Sequence, residues 1–202
     1  MTLSARFATC GLGLLLCGLV ACQQSSPPPD VYGSAPSFSL LDQTGATFTS
    51  DALQGRAVLL DFVYTHCTDA CPLLSATFAQ TQRKLADAGL LGSRAVLVSL
   101  SVDPEHDTPT VLAEYAQQLK ADPAAWRFLT GDWDQVYDVV TGFKVATKPP
   151  RPAAGAPAPG GTELTHSTRV VLIDPRGQVR GYLDGQDATA DDFVTALRAV
   201  LR

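Results

Sequence analysis

Two stretches limit what this chain can fold into more than anything else in it. Ala57 to Tyr64 reads AVLLDFVY and Arg94 to Val102 reads RAVLVSLSV. A strand with one wet face alternates apolar and polar residues. A nearly unbroken apolar run fits a strand buried on both faces, which requires layers of helix above and below the sheet. Residues 72 to 88 between the runs have helical spacing. Leu74, Phe78 and Leu85 fall near one face, Gln80, Arg83, Lys84 and Asp87 are polar, and Gly89 follows as a stop. Strand, helix and strand in this order predict an α/β layered sheet.

The rest of the chain extends that pattern. Phe38 to Leu40 and Phe48 flank Asp42-Gln43-Thr44-Gly45 and predict a small N-terminal hairpin, with Ser50-Asp51 capping one short helical turn before Gly55. Thr108 as cap and Pro109 at the first helical position open a helix through Leu119. A short strand over Trp126 to Leu129 and a helix over Asp132 to Phe143 follow. Lys148 to Gly161 is rich in Pro, Ala and Gly and reads as an exposed loop inserted before the last strands. Those strands are Val170 to Ile173 and Val179 to Leu183, joined by Asp174-Pro175-Arg176-Gly177, with a closing amphipathic helix over Asp191 to Leu201. A cysteine pair just after the first long strand, at the start of a helix, is the layout of a thioredoxin-like fold.

The first 35 residues do not belong to that pattern. Arg6 precedes an apolar run from Phe7 to Ala21, which ends in Leu19-Val20-Ala21-Cys22. The run is shorter than the ~20 residues that span a bilayer. It reads as a signal peptide over residues 1–21, ending in a lipobox-like stretch that makes Cys22 a lipidation site. Residues 22–35, with Pro27-Pro28-Pro29, read as a tether, leaving 36–202 as one domain. The expected setting is a bacterial cell envelope, with the domain outside the cytoplasm and held to a membrane through a lipid anchor. With a net charge of −5, the chain presents no basic surface for nucleic acid.

Only Cys67 and Cys71 lie in the body of the chain. With Cys71 opening the helix and Cys67 in the loop before it, the sulfurs can face each other, and the helix N-terminus would lower a thiol pKa. A purely structural disulfide here would close a loop of about five residues and stabilise by roughly 2 kcal/mol, against about 5 for a loop of 150. That favours chemistry over stapling. The pair alone leaves thiol-disulfide exchange and metal binding both open. His166, between the Pro-rich loop and the strand near Val170, is a candidate third ligand. Two thiolates and one imidazole make a soft site suited to Cu(I), with the imidazole also supporting Cu(II). Zinc accepts the same ligands but usually takes a fourth. His66 and His106 are weaker candidates. Asp103 stands at the end of the second buried strand, where open α/β sheets place functional groups.

These blocks together resemble the Sco/SenC family. Phe62-Val63-Tyr64-Thr65-His66-Cys67-Thr68-Asp69-Ala70-Cys71-Pro72 is similar to its signature. Ser101-Val102-Asp103-Pro104-Glu105-His106-Asp107-Thr108-Pro109 is similar to its second block, and His166-Ser167 with Val171-Leu172-Ile173-Asp174 and Gly177 to its third. The resemblance runs from about Pro36 to Leu201. It implies a thioredoxin fold with extra elements and copper held by Cys67, Cys71 and His166, with Asp103 as a supporting acid. It implies a metallochaperone that takes copper from a donor protein and serves the copper-centre subunit of cytochrome c oxidase. A thiol-disulfide reductase using Cys67 and Cys71 as its catalytic pair is the alternative. Where the family usually has Pro after the first cysteine, this chain has Thr68, which frees one backbone N–H.

Overall fold

A computed structural model describes residues 30–67, 70–146, 151 and 168–202. Eight strands form one mixed sheet, in the order β1-β8-β7-β4-β5-β6-β2-β3. The two apolar runs are its central strands, β4 (Ala57–Val63) and β5 (Ala95–Ser101), and every residue in both is buried. They are parallel, with Asp61 opposite Ser99, and β6 (Trp126–Thr130) continues the parallel set. β7 (Arg169–Ile173) runs antiparallel to β4, and β8 (Gln178–Asp184) antiparallel to β7. The hairpin of β2 (Ser39–Asp42) and β3 (Thr47–Thr49) completes the far edge by pairing with β6. Gly45 takes φ +80° in its turn, a conformation that favours glycine.

The helices divide between the two faces. α1 (Ala70–Asp87), α2 (Pro109–Gln118) and α4 (Ala190–Val200) cover one face, where Phe78, Leu112, Phe193 and Leu197 pack on Leu59, Leu97, Trp126 and Phe128. α3 (Trp133–Gly142) covers the other, with Trp133, Val136, Tyr137 and Val140 on Leu60, Phe62, Val98 and Leu100. Caps account for several boundaries. The Thr108 side chain accepts from Val111 N, the Asp132 side chain from Asp134 N, and Thr189 with Asp192 forms a reciprocal capping box.

The elements match the expected α/β thioredoxin-like layout, with three local differences. β1 (Gly33–Ser34) lies within the segment read as tether and joins the sheet by pairing with Val179 and Gln178 of β8. α1 begins at Ala70 rather than 72, so Cys71 is already helical. The 3₁₀ turn at Ser50–Leu53 is not capped by Ser50, whose hydroxyl accepts from Phe38 N instead. Of the Pro-rich loop, only Arg151 is among the described residues. The signal, Cys22 and His166 all lie outside them.

Candidate functional site

The carboxyl ends of β4 and β5 carry the site, as expected where parallel strands feed loops into the same rim. After β4 the chain turns tightly, and the Cys67 backbone N–H donates to Tyr64 O at 3.1 Å. The first N–H groups of a helix have no acceptor within it. Here the Cys71 N–H donates to Cys67 Sγ at 3.4 Å, which ties the sulfur to the start of α1. Neither cysteine is in a disulfide; Cys67 is buried and Cys71 half-buried.

The expected lowering of a thiol pKa by the helix end does not hold for Cys71. Burial pushes its thiol up to about 12. The hydrogen bond with Cys67 and the nearby charges of Cys67 and Asp61 act in the same direction, against the bond to the Tyr64 backbone. A helix dipole contributes about 0.3–1 kcal/mol at such a position, and the loss of hydration outweighs it.

Asp61 is the residue that sequence reasoning missed. It is 0 % exposed in the middle of the sheet, and among the described residues neither carboxyl oxygen has a hydrogen-bond partner. Burial pushes its carboxyl up to about 7. The Ser99 hydroxyl partly offsets this without reaching hydrogen-bond geometry with either oxygen. The available signal was a single acid inside an otherwise apolar strand.

A second buried carboxylate is fully engaged. Asp107 accepts from the Thr65 backbone N–H (3.2 and 3.3 Å), from Thr65 Oγ1 at 2.6 Å and from Ser101 Oγ at 2.6 Å. Ser101 Oγ in turn accepts from Asp103 N at 3.0 Å. Burial raises the Asp107 pKa and neighbouring Asp103 adds to this, against the pull of these hydrogen bonds. The result is a brace between the loop after β4 and the turn after β5. Asp103 lies in that turn, buried, and both of its oxygens accept from His106 Nδ1, at 2.9 and 3.0 Å. That contact raises the His106 pKa and ties the ring to the turn.

Among the described residues, no three His, Cys, Asp or Glu side chains converge in a metal-binding group. The described residues therefore give the thiol pair no third ligand, and His166 remains the candidate from outside them. The register of β7 bears on it. Leu60 faces Val171, so the start of β7 and Thr168 stand at the end of the sheet where β4 delivers Cys67. Gly185 holds Thr168 there by donating its N–H to Thr168 O at 2.7 Å. A Cβ at Gly185 would stand 2.5 Å from Thr168 O and 2.8 Å from Leu74 Cδ1, so only glycine allows this approach.

Residues 28–202 match the family model described as SCO1/SenC. The chain belongs to the SCO1/SenC family. Protein SenC of Rhodobacter capsulatus is 31 % identical over 191 residues, covering 95 % of this chain and 74 % of that protein. Two solved SCO1/SenC-type structures show the same fold. BsSco, described as a member of the Sco family of cytochrome c oxidase assembly proteins with a disulfide switch, superposes with a TM-score of 0.70 at 25 % identity. It covers 87 % of this chain and 98 % of its own. Copper-bound ScoI of Bradyrhizobium japonicum superposes with a TM-score of 0.61 at 27 % identity, covering 83 % and 99 %.

Proposed function

We propose that this protein carries copper as cargo on Cys67, Cys71 and His166 and serves assembly of the copper centre of cytochrome c oxidase. The observation that carries this reading is the pair of reduced cysteines drawn together at the sheet's carboxyl rim, with Cys71 N–H on Cys67 Sγ. The β7 register, which leads residue 168 toward the same rim, supports His166 as third donor. Two sulfurs and one imidazole suit Cu(I) and tolerate Cu(II). The thiols lose their protons to solvent as copper binds, and a Cys67–Cys71 disulfide blocks loading. Hand-over to an oxidase subunit is then exchange of these ligands for the recipient's. Cys22 anchors the protein in the cell envelope in this reading, and among the described residues no helix is long and apolar enough to cross a membrane.

Anaerobic Cu(I) loading of the reduced protein tests the site. One tightly bound Cu(I) per chain is expected, lost in Cys67→Ser and Cys71→Ser; tight Cu(I) binding retained in the double variant refutes it. Membrane fractionation tests the anchor, because Cys22→Ser should release the domain or leave an unprocessed precursor.

The second reading is thiol-disulfide exchange, favoured by the proximity of the two sulfurs. One thiolate would attack a target disulfide and the other would resolve the mixed disulfide, so the pair is oxidised as the target is reduced. His166→Ala separates the two readings. It leaves exchange intact and weakens copper binding, Cu(II) most. Normal oxidase assembly in His166→Ala cells at limiting copper would favour the reductase.

A further inference from the structure

We infer that His66 and His106 form a two-imidazole copper entry site beside the thiols, from which the ion passes to Cys67 and Cys71. The inference rests on the copper reading above and adds a second station to it.

The geometry is built, not incidental. His66 adjoins Cys67 in the chain and is exposed. His106 sits on the neighbouring turn with its side chain 34 % exposed. Their rings meet edge to face with centroids 5.9 Å apart. Two imidazoles that each place a nitrogen ~2 Å from a shared ion stand at about this separation. Asp107 creates the meeting. It grips Thr65, next to His66, and Ser101, which holds the backbone of Asp103.

The orientation of His106 is that of a metal ligand. Asp103 accepts from its Nδ1, which places the proton there and leaves the lone pair on Nε2. A carboxylate behind the ring is the usual support of a ligating histidine, and it raises the basicity of the other nitrogen. Among the described residues, neither His66 nitrogen has a hydrogen-bond partner, and the ring's contact is with His106. Asp103 and Asp107 give the turn a negative field that favours an incoming cation, while Glu105 is paired with Arg151 at 2.9 Å. Two nitrogen donors bind copper more weakly than a site with two thiolates, which suits a station that must release its ion. In the transfer, Cu–N bonds break as Cu–S bonds form. Each thiol proton goes to solvent, and the oxidation state of the copper does not change.

The chain has three histidines, which makes the test clean. In full-length Cys67→Ser,Cys71→Ser,His166→Ala protein, His66 and His106 are the only imidazoles left. Titration with aqueous Cu(II), followed by electron paramagnetic resonance, is expected to show one ion per chain with two nitrogen donors. Adding His66→Ala or His106→Ala should each weaken that binding at least tenfold, and Asp103→Asn should weaken it severalfold. Circular dichroism checks that each variant is folded. Residual copper that ignores both histidine substitutions, or no binding in the triple variant, overturns the site. With the thiols intact, His66→Ala,His106→Ala should keep one copper per chain but load it at least tenfold more slowly. An unchanged loading rate overturns the entry role. Loss of copper from the wild type refutes the thiol site, whereas loss from the triple variant alone refutes the imidazole pair.

Discussion

The two faces of the central strands differ in a way that explains where chemistry is placed. On the face under α3, β4 and β5 present Val58, Leu60, Phe62, Val96, Val98 and Leu100, apolar from end to end. On the face under α1, α2 and α4 they begin apolar, with Ala57, Leu59, Ala95 and Leu97, and turn polar toward the carboxyl rim at Asp61, Ser99 and Ser101. The first face only packs. The second pays for polarity at the rim with three different arrangements. Ser101 feeds the Asp107 brace, Ser99 accepts the Trp126 indole N–H at 3.0 Å, and the Asp61 carboxyl has no hydrogen-bond partner among the described residues. Packing can be uniform along a strand, but a reactive rim needs buried polar groups, and each must be satisfied or must shift its protonation.

Three substitutions test this contrast, from the largest effect to the smallest. Leu60→Ala on the apolar face opens a cavity beneath α3 and should destabilise by roughly 3–5 kcal/mol in urea unfolding. A cost near 1 would mean that this face is loosely packed.

Asp61→Asn addresses the unpaired acid. Its folded pKa is raised to about 7, against about 3.9 unfolded. The neutral acid therefore contributes stability that is fully present below pH 4 and lost as pH rises to about 7. Across that window the wild type should lose roughly 2–4 kcal/mol that Asp61→Asn does not. Parallel stability curves for the two proteins would show that Asp61 titrates normally.

Ser99→Ala leaves the buried indole N–H of Trp126 without its acceptor and should cost about 1–2 kcal/mol. The same substitution should move the Asp61 transition upward, because the hydroxyl now offsets part of the burial effect. A fixed transition would separate the two groups.

Much of this was legible in the residues. The unbroken apolar runs specified buried central strands, Thr108-Pro109 and Asp132 marked helix starts, and Cys67 with Cys71 stood where a strand hands over to a helix. The Asp103 turn was placed at the correct rim, but its partner was not. Nothing local in Asp103-Pro104-Glu105-His106 says that both carboxyl oxygens turn onto the His106 ring. The sign of the Cys71 shift was misjudged for a related reason. The helix end is visible in sequence, whereas the depth of burial that outweighs it is not.

The sequence by itself determined the layers, the order of strands and helices, and the residue types available for chemistry, because periodicity and capping act over a few neighbouring residues. Only the tertiary structure decided which of those residues act together. Thr65 and Asp107 are 42 positions apart, Ser75 and Tyr115 are 40 apart, and His66 meets His106 only through that brace. Parallel strands bring such distant loops to one rim. Among the described residues the same burial leaves the Asp61 carboxyl without a hydrogen-bond partner, so its protonation is set by a surrounding that no stretch of sequence contains.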